Sequence, residues 1–66
     1  MTPKDLRTRA RYKLEEAASV VRLARTLSLA TDREAFLADA ARLQAEAEAL
    51  EAEAAKLEAR TGDGSE

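Results

Sequence analysis

Phe36, Leu43, Leu50 and Leu57 recur every seven residues, and Ala40, Ala47 and Ala54 each stand four places after a member of that set. A seven-residue repeat with a second set four along puts both on one stripe of an α-helix, facing a partner helix. With the large set called d and the alanines a, the first half of the chain repeats the scheme. Ala10, Ala17 and Ala24 fall at a, and Leu6, Lys13, Val20 and Leu27 at d. The step from Leu27 to Phe36 is nine residues, a shift of two that matches neither of the usual three- and four-residue insertions. A single straight helix would lose its seam there. Thr31-Asp32-Arg33-Glu34 reads at the same place as a capping box, with a hydroxyl and an acid positioned for a helix start.

These signals predict an all-α antiparallel helical hairpin over residues 1–60: helix 1 near 3–29, a turn near 29–32 and helix 2 near 32–60. Thr2, Pro3 and Asp5 supply an N-cap, a first-turn proline and an acidic third position. Lys56 and Arg60 suit a last turn, Gly62 a stop, and residues 61–66 a disordered tail. Folding back about Ala30 pairs Ala24 with Phe36, Val20 with Ala40, Ala17 with Leu43, Lys13 with Ala47, Ala10 with Leu50 and Leu6 with Ala54. Each layer joins one alanine to one longer side chain, which lets two backbones approach closely while filling the volume between them.

Size argues for a second copy. A chain of 66 residues without cysteine cannot bury a large core or staple itself, and such chains commonly gain stability by oligomerising. Sixteen of the 30 residues that count as hydrophobic are alanine. The apolar surface is also wider than one partner helix covers: Leu14 and Val21 lie at e, Leu23 at g, and Leu37 at e on helix 2. Two hairpins packed as a homodimeric four-helix bundle would cover them. The expected core and dimer interface therefore comprises the a and d positions named above, with Leu57, together with Leu14, Val21, Leu23 and Leu37. Lys13 is the polar exception, and its stem is expected to cross the seam so that its ammonium reaches Glu46, Glu48 or Glu51.

The chain has no His and no Cys, and its carboxylates follow no catalytic or metal-binding spacing. No enzyme activity, cofactor or metal is expected. No apolar run reaches the length of a membrane span, and Met1–Asp5 lacks the apolar core of a signal peptide, so a cytoplasmic protein without a membrane partner is expected. The net charge of −2 divides into +4 over residues 1–30 and −6 over 31–66. Helix 1 carries a basic stripe of Lys4, Arg7, Arg11, Arg22 and Arg25 beside Tyr12, a candidate surface for nucleic-acid phosphates. The acidic, alanine-rich helix 2 offers a face for a basic protein. The leading reading is a small non-catalytic, self-associating interaction module that docks a protein partner. The alternative is a dimeric RNA- or DNA-binding regulator that uses the basic stripe.

In overall length, in the turn near Leu29–Asp32, in its mixed-size alanine layers and in its Gly62-Asp63-Gly64 tail, the chain resembles the Rop (Rom) family of plasmid copy-number regulators. The resemblance implies a hairpin that dimerises into a four-helix bundle. Members of that family bind paired RNA loops through the outer face of their first helices, using polar side chains, a lysine and a central Phe. The matching places here hold Ala10, Leu14, Ala18 and Arg25, and only Arg25 keeps that chemistry. The resemblance therefore implies the architecture more than the RNA activity.

Overall fold

The computed structural model describes residues 2–64, with side-chain surroundings for 2–60, and consists of two helices packed against one another: α1, Pro3–Ala24, and α2, Ala30–Gly64. No strand occurs among the described residues. The Cα atoms span 57 × 14 × 13 Å, a rod two helices across.

The start of α1 follows the cap read from sequence. Thr2 is extended (φ −91°, ψ 159°), its hydroxyl accepts from the Asp5 N–H at 3.1 Å, and Pro3 opens the helix. Proline costs nothing there, because that N–H has no helical partner, and Asp5 lies at the positive end of the dipole.

The turn departs from expectation, and its place is corrected here. Helix α1 ends at Ala24 instead of near 29, and α2 begins at Ala30 instead of near 32. The chain leaves the helix where Thr26 offers local alternatives. Its N–H and its hydroxyl both bond the Leu23 carbonyl, at 3.0 and 2.7 Å, and the Leu27 N–H bonds Ala24 at 3.2 Å. Such i−3 bonds tighten the last turn and satisfy carbonyls that a continuing helix would have used. The Arg33 N–H reaches the Leu29 carbonyl at 3.0 Å, which places Thr31 inside the first turn of α2 and not at its N-cap. Helix α2 continues to Gly64, four residues beyond the expected end at 60, and no glycine among the described residues has a positive φ. Of the tail predicted at 61–66, Ser65 and Glu66 lie outside the described residues.

The seam itself follows the heptads. All six alanines at a are buried: Ala10, Ala17, Ala24, Ala40, Ala47 and Ala54, with none more than 3 % exposed. Leu6 and Leu43 are buried beside them, and Val20, Leu27, Leu50 and Leu57 are half-buried. Ala17, Ala40 and Leu43 form one cluster with Val20 and Val21 packed on it, which joins two of the expected layers. Continuing that register, Phe36 falls level with Ala24, the last residue of α1, so no further helical turn covers its outer side. This accounts for its 37 % exposure.

Candidate interaction surfaces

Successive residues turn by about 100° around a helix, so the e and g positions lie on opposite flanks of an a/d seam. Arg7 and Glu58 are both e positions, and they meet: Arg7 donates from Nε to Oε2 at 3.1 Å and from a terminal nitrogen to Oε1 at 2.5 Å. This two-pronged bond shows that the e positions of α1 and α2 share one flank. Leu14 and Val21 follow Arg7 on that flank in steps of seven; Glu51, Gln44 and Leu37 precede Glu58 in the same steps.

The e flank is therefore divided along its length. Near the open end of the hairpin it carries Arg7, Glu51 and Glu58. Toward the linker it carries Leu14, Val21, Gln44 and Leu37, with no formal charge. Leu14 is 41 % and Leu37 43 % exposed, because one partner helix does not reach them. The g flank differs. Leu23, 54 % exposed, stands there in the company of Glu16, Asp39 and Glu46, so the structure does not gather the four outlying apolar residues on one face. Leu29, in the linker, and Tyr12, on the outer side of α1, are also exposed.

Lys13 behaves as its place in the seam suggested. It is half-buried beside the alanines, and its ammonium donates to Glu46 Oε1 at 2.9 Å. Its methylenes fill the layer while the charge reaches the rim. The bond from Lys13 holds the Glu46 carboxyl below the ordinary carboxylate range, and the bond from Arg7 does the same for Glu58. Glu58 and then Glu51 hold the Arg7 guanidinium more firmly in its charged form.

Depressed carboxyls give the hairpin a defined acid response. Stability from such a group is present above its unfolded pKa and is lost as pH falls through its folded pKa. The urea midpoint should therefore fall as pH drops from neutral to below about 4, the usual carboxylate range. Both pairs are exposed, so the drop is small. A Glu46→Gln/Glu58→Gln variant should show less of it; an acid response equal to that of the parent would place its origin elsewhere.

The basic stripe is only partly open. Arg7 is engaged by Glu58, and Arg22 donates to the Ser19 hydroxyl at 3.0 Å. Arg25 is not on α1 at all but caps its C-terminus, with its N–H shared among the carbonyls of Val21, Arg22 and Leu23. Lys4 and Arg11 remain exposed on the outer side of α1. Sequence reasoning placed Arg7 with the stripe because spacing alone does not show which charges a partner helix will claim. The seam position of Lys13 predicted an acidic partner on α2 among Glu46, Glu48 and Glu51, and the structure selects Glu46, on the g flank.

Three or more carboxylates gathered to hold a metal ion are not found among the described residues, and neither is a helix long and apolar enough to cross a membrane. No protein family, characterised protein or solved structure matches the chain.

Proposed function

We propose that this protein is a small, non-catalytic helical interaction module that pairs with a second copy of itself into a four-helix bundle and, as a dimer, docks a protein partner. The observation that carries the reading is the uncharged half of the e flank, where Leu14 and Leu37 are left exposed beside a completed alanine seam. Large apolar side chains grouped on one face of a soluble rod mark an interface. A second hairpin laid on that face would cover both leucines with uncharged side chains. The acidic, alanine-rich outer side of α2 stays outward in such a bundle and suits a basic protein.

The test is a Leu14→Glu/Leu37→Glu variant followed by light scattering after size exclusion. Apolar contacts central to an interface are worth roughly 2 kcal/mol each, so the double change should weaken pairing at least about a hundredfold. Helicity should be kept at concentrations where the parent is dimeric, because neither leucine closes the seam. A variant as dimeric as its parent would refute the reading.

A nucleic-acid regulator is the second reading, supported by the exposed Lys4 and Arg11 and by Arg25 at the end of α1. Its mark would be retention on RNA or DNA that falls with salt and with Arg11→Glu/Arg25→Glu. The engagement of Arg7 by Glu58 removes one of its five cations.

A further inference from the structure

We infer that the second copy sits on the e flank with its linker at the same end of the rod, so that α1 of each hairpin lies over α2 of the other. The inference rests on the self-association proposed above and adds its geometry. A flat hairpin can meet its twin face to face about two perpendicular two-fold axes. One runs along the rod: the two linkers then lie together, and α1 faces the partner's α2. The other runs across the rod: the linkers lie at opposite ends, and each helix faces its own counterpart.

Two features of the e flank separate these arrangements. The first is where the apolar side chains stand. In the register fixed by Ala17 against Leu43, Leu37 is level with Leu23, and Leu14 is level with Glu46. The uncharged stretch therefore occupies only the half next to the linker. An axis along the rod lays that half on its own copy, uncharged on uncharged: Leu37 meets the partner's Val21, and Leu14 the partner's Gln44. An axis across the rod, with the rods fully overlapped, leaves Leu14, at mid-length, near its own copy but lays Val21 near the partner's Arg7 and Leu37 near the partner's Glu58. Burying leucines against charged groups that must shed their water is unfavourable.

The second feature is charge. Over Pro3–Ala24 the chain has six basic and three acidic side chains, whereas over Ala30–Gly64 it has four and nine. Helix α1 over the partner's α2 brings opposite signs together. Like helices over one another stack charges of one sign along both pairs, which costs energy and discriminates between orientations. Arg7 illustrates the point. With linkers together it faces the acidic end of the partner's α2 while bonded to Glu58 of its own. With linkers apart it faces the partner's Val21.

The g flank offers no equal alternative. Its one exposed leucine, Leu23, shares the flank with Glu16, Asp39 and Glu46, of which Asp39 and Glu46 are paired with Arg42 and Lys13, so two such faces would bury charged pairs against a single leucine each.

Spin labels read the arrangement directly, because the chain contains no cysteine of its own. One label is placed at Ser28→Cys in the exposed linker and, in a separate sample, one at Ala59→Cys on the exposed outer side of α2 near the open end. Neighbouring helix axes lie about 8–10 Å apart, so with linkers together both label pairs should read about 20–35 Å across the bundle. At about 1.5 Å per residue, linkers at opposite ends of fully overlapped rods would put both pairs beyond about 35 Å, with the Ser28 pair near 45 Å. A staggered dimer overlapping only its apolar halves would read short at Ser28 and beyond about 50 Å at Ala59. Either of the last two patterns overturns the arrangement while leaving self-association intact. No dipolar coupling, with a scattering mass of one chain, overturns both.

Discussion

Leu43→Ala is expected to destabilise the protein by about 2–5 kcal/mol, the range for removing a buried leucine side chain from a site that collapses only in part. Leu43 is 5 % exposed and is the one large side chain in the cluster with Ala17 and Ala40. The alanines around it cannot reach into the space it leaves, because their side chains end at Cβ. In a domain of this size about 1 kcal/mol corresponds to a shift of 4–8 °C, so thermal unfolding followed by circular dichroism should move down by at least about 8 °C. Leu29→Ala is the matched control. The same atoms are removed from a linker side chain that is 63 % exposed, and surface changes of that kind stay within about 0.5 kcal/mol. Equal shifts for the two variants would mean that the seam is not the core.

Ala47→Leu tests the small half of the alternation. By transfer energetics alone, an added apolar side chain on a buried position should stabilise. The seam predicts the reverse. Ala47 has no exposed surface, and its layer partner is Lys13, whose stem already crosses the gap on its way to Glu46. Three extra carbons force either the backbones apart or Lys13 out of its bond. Overpacking of a filled core costs about 1–3 kcal/mol. Urea unfolding at neutral pH should show a lower midpoint with an unchanged slope, and the Lys13–Glu46 contact should be lost. A higher midpoint would show that the helices do not approach as closely as the alanines imply.

These two positions also show how much of the structure the amino-acid order encodes. The seam was legible because its signal is redundant: six alanines and their larger partners repeat over three heptads in each helix, and one misread residue would not move it. The turn was less legible because it depends on a few local bonds. Thr31-Asp32-Arg33-Glu34 has the chemistry of a cap, yet α1 already ends at Ala24, where the Thr26 N–H and hydroxyl both bond the Leu23 carbonyl. Once α1 stops at Ala24, the linker needs only residues 25–29, and Thr31 is drawn into the helix. Gly62 likewise reads as a stop, but glycine only permits a left-handed residue and does not impose one.

The surfaces were legible in part, for a related reason. Heptad letters state which residues leave the seam, and Leu14 and Leu37 are exposed where e positions should be. They do not state which flanks of two helices coincide; that required the Arg7–Glu58 bond. The same bond converts Arg7 from a surface cation into part of the hairpin, which charge counting along one helix could not reveal.

The central claim is that an alanine seam closes the hairpin and leaves a leucine-bearing flank for a twin. Sedimentation equilibrium from low to high micromolar concentration, with helicity recorded on the same samples, tests it most directly. The account predicts a mass rising to twice the 7.2 kDa of one chain, with α-helical circular dichroism strengthening or holding as the dimer forms. A fully helical species that stays at 7.2 kDa throughout would contradict it.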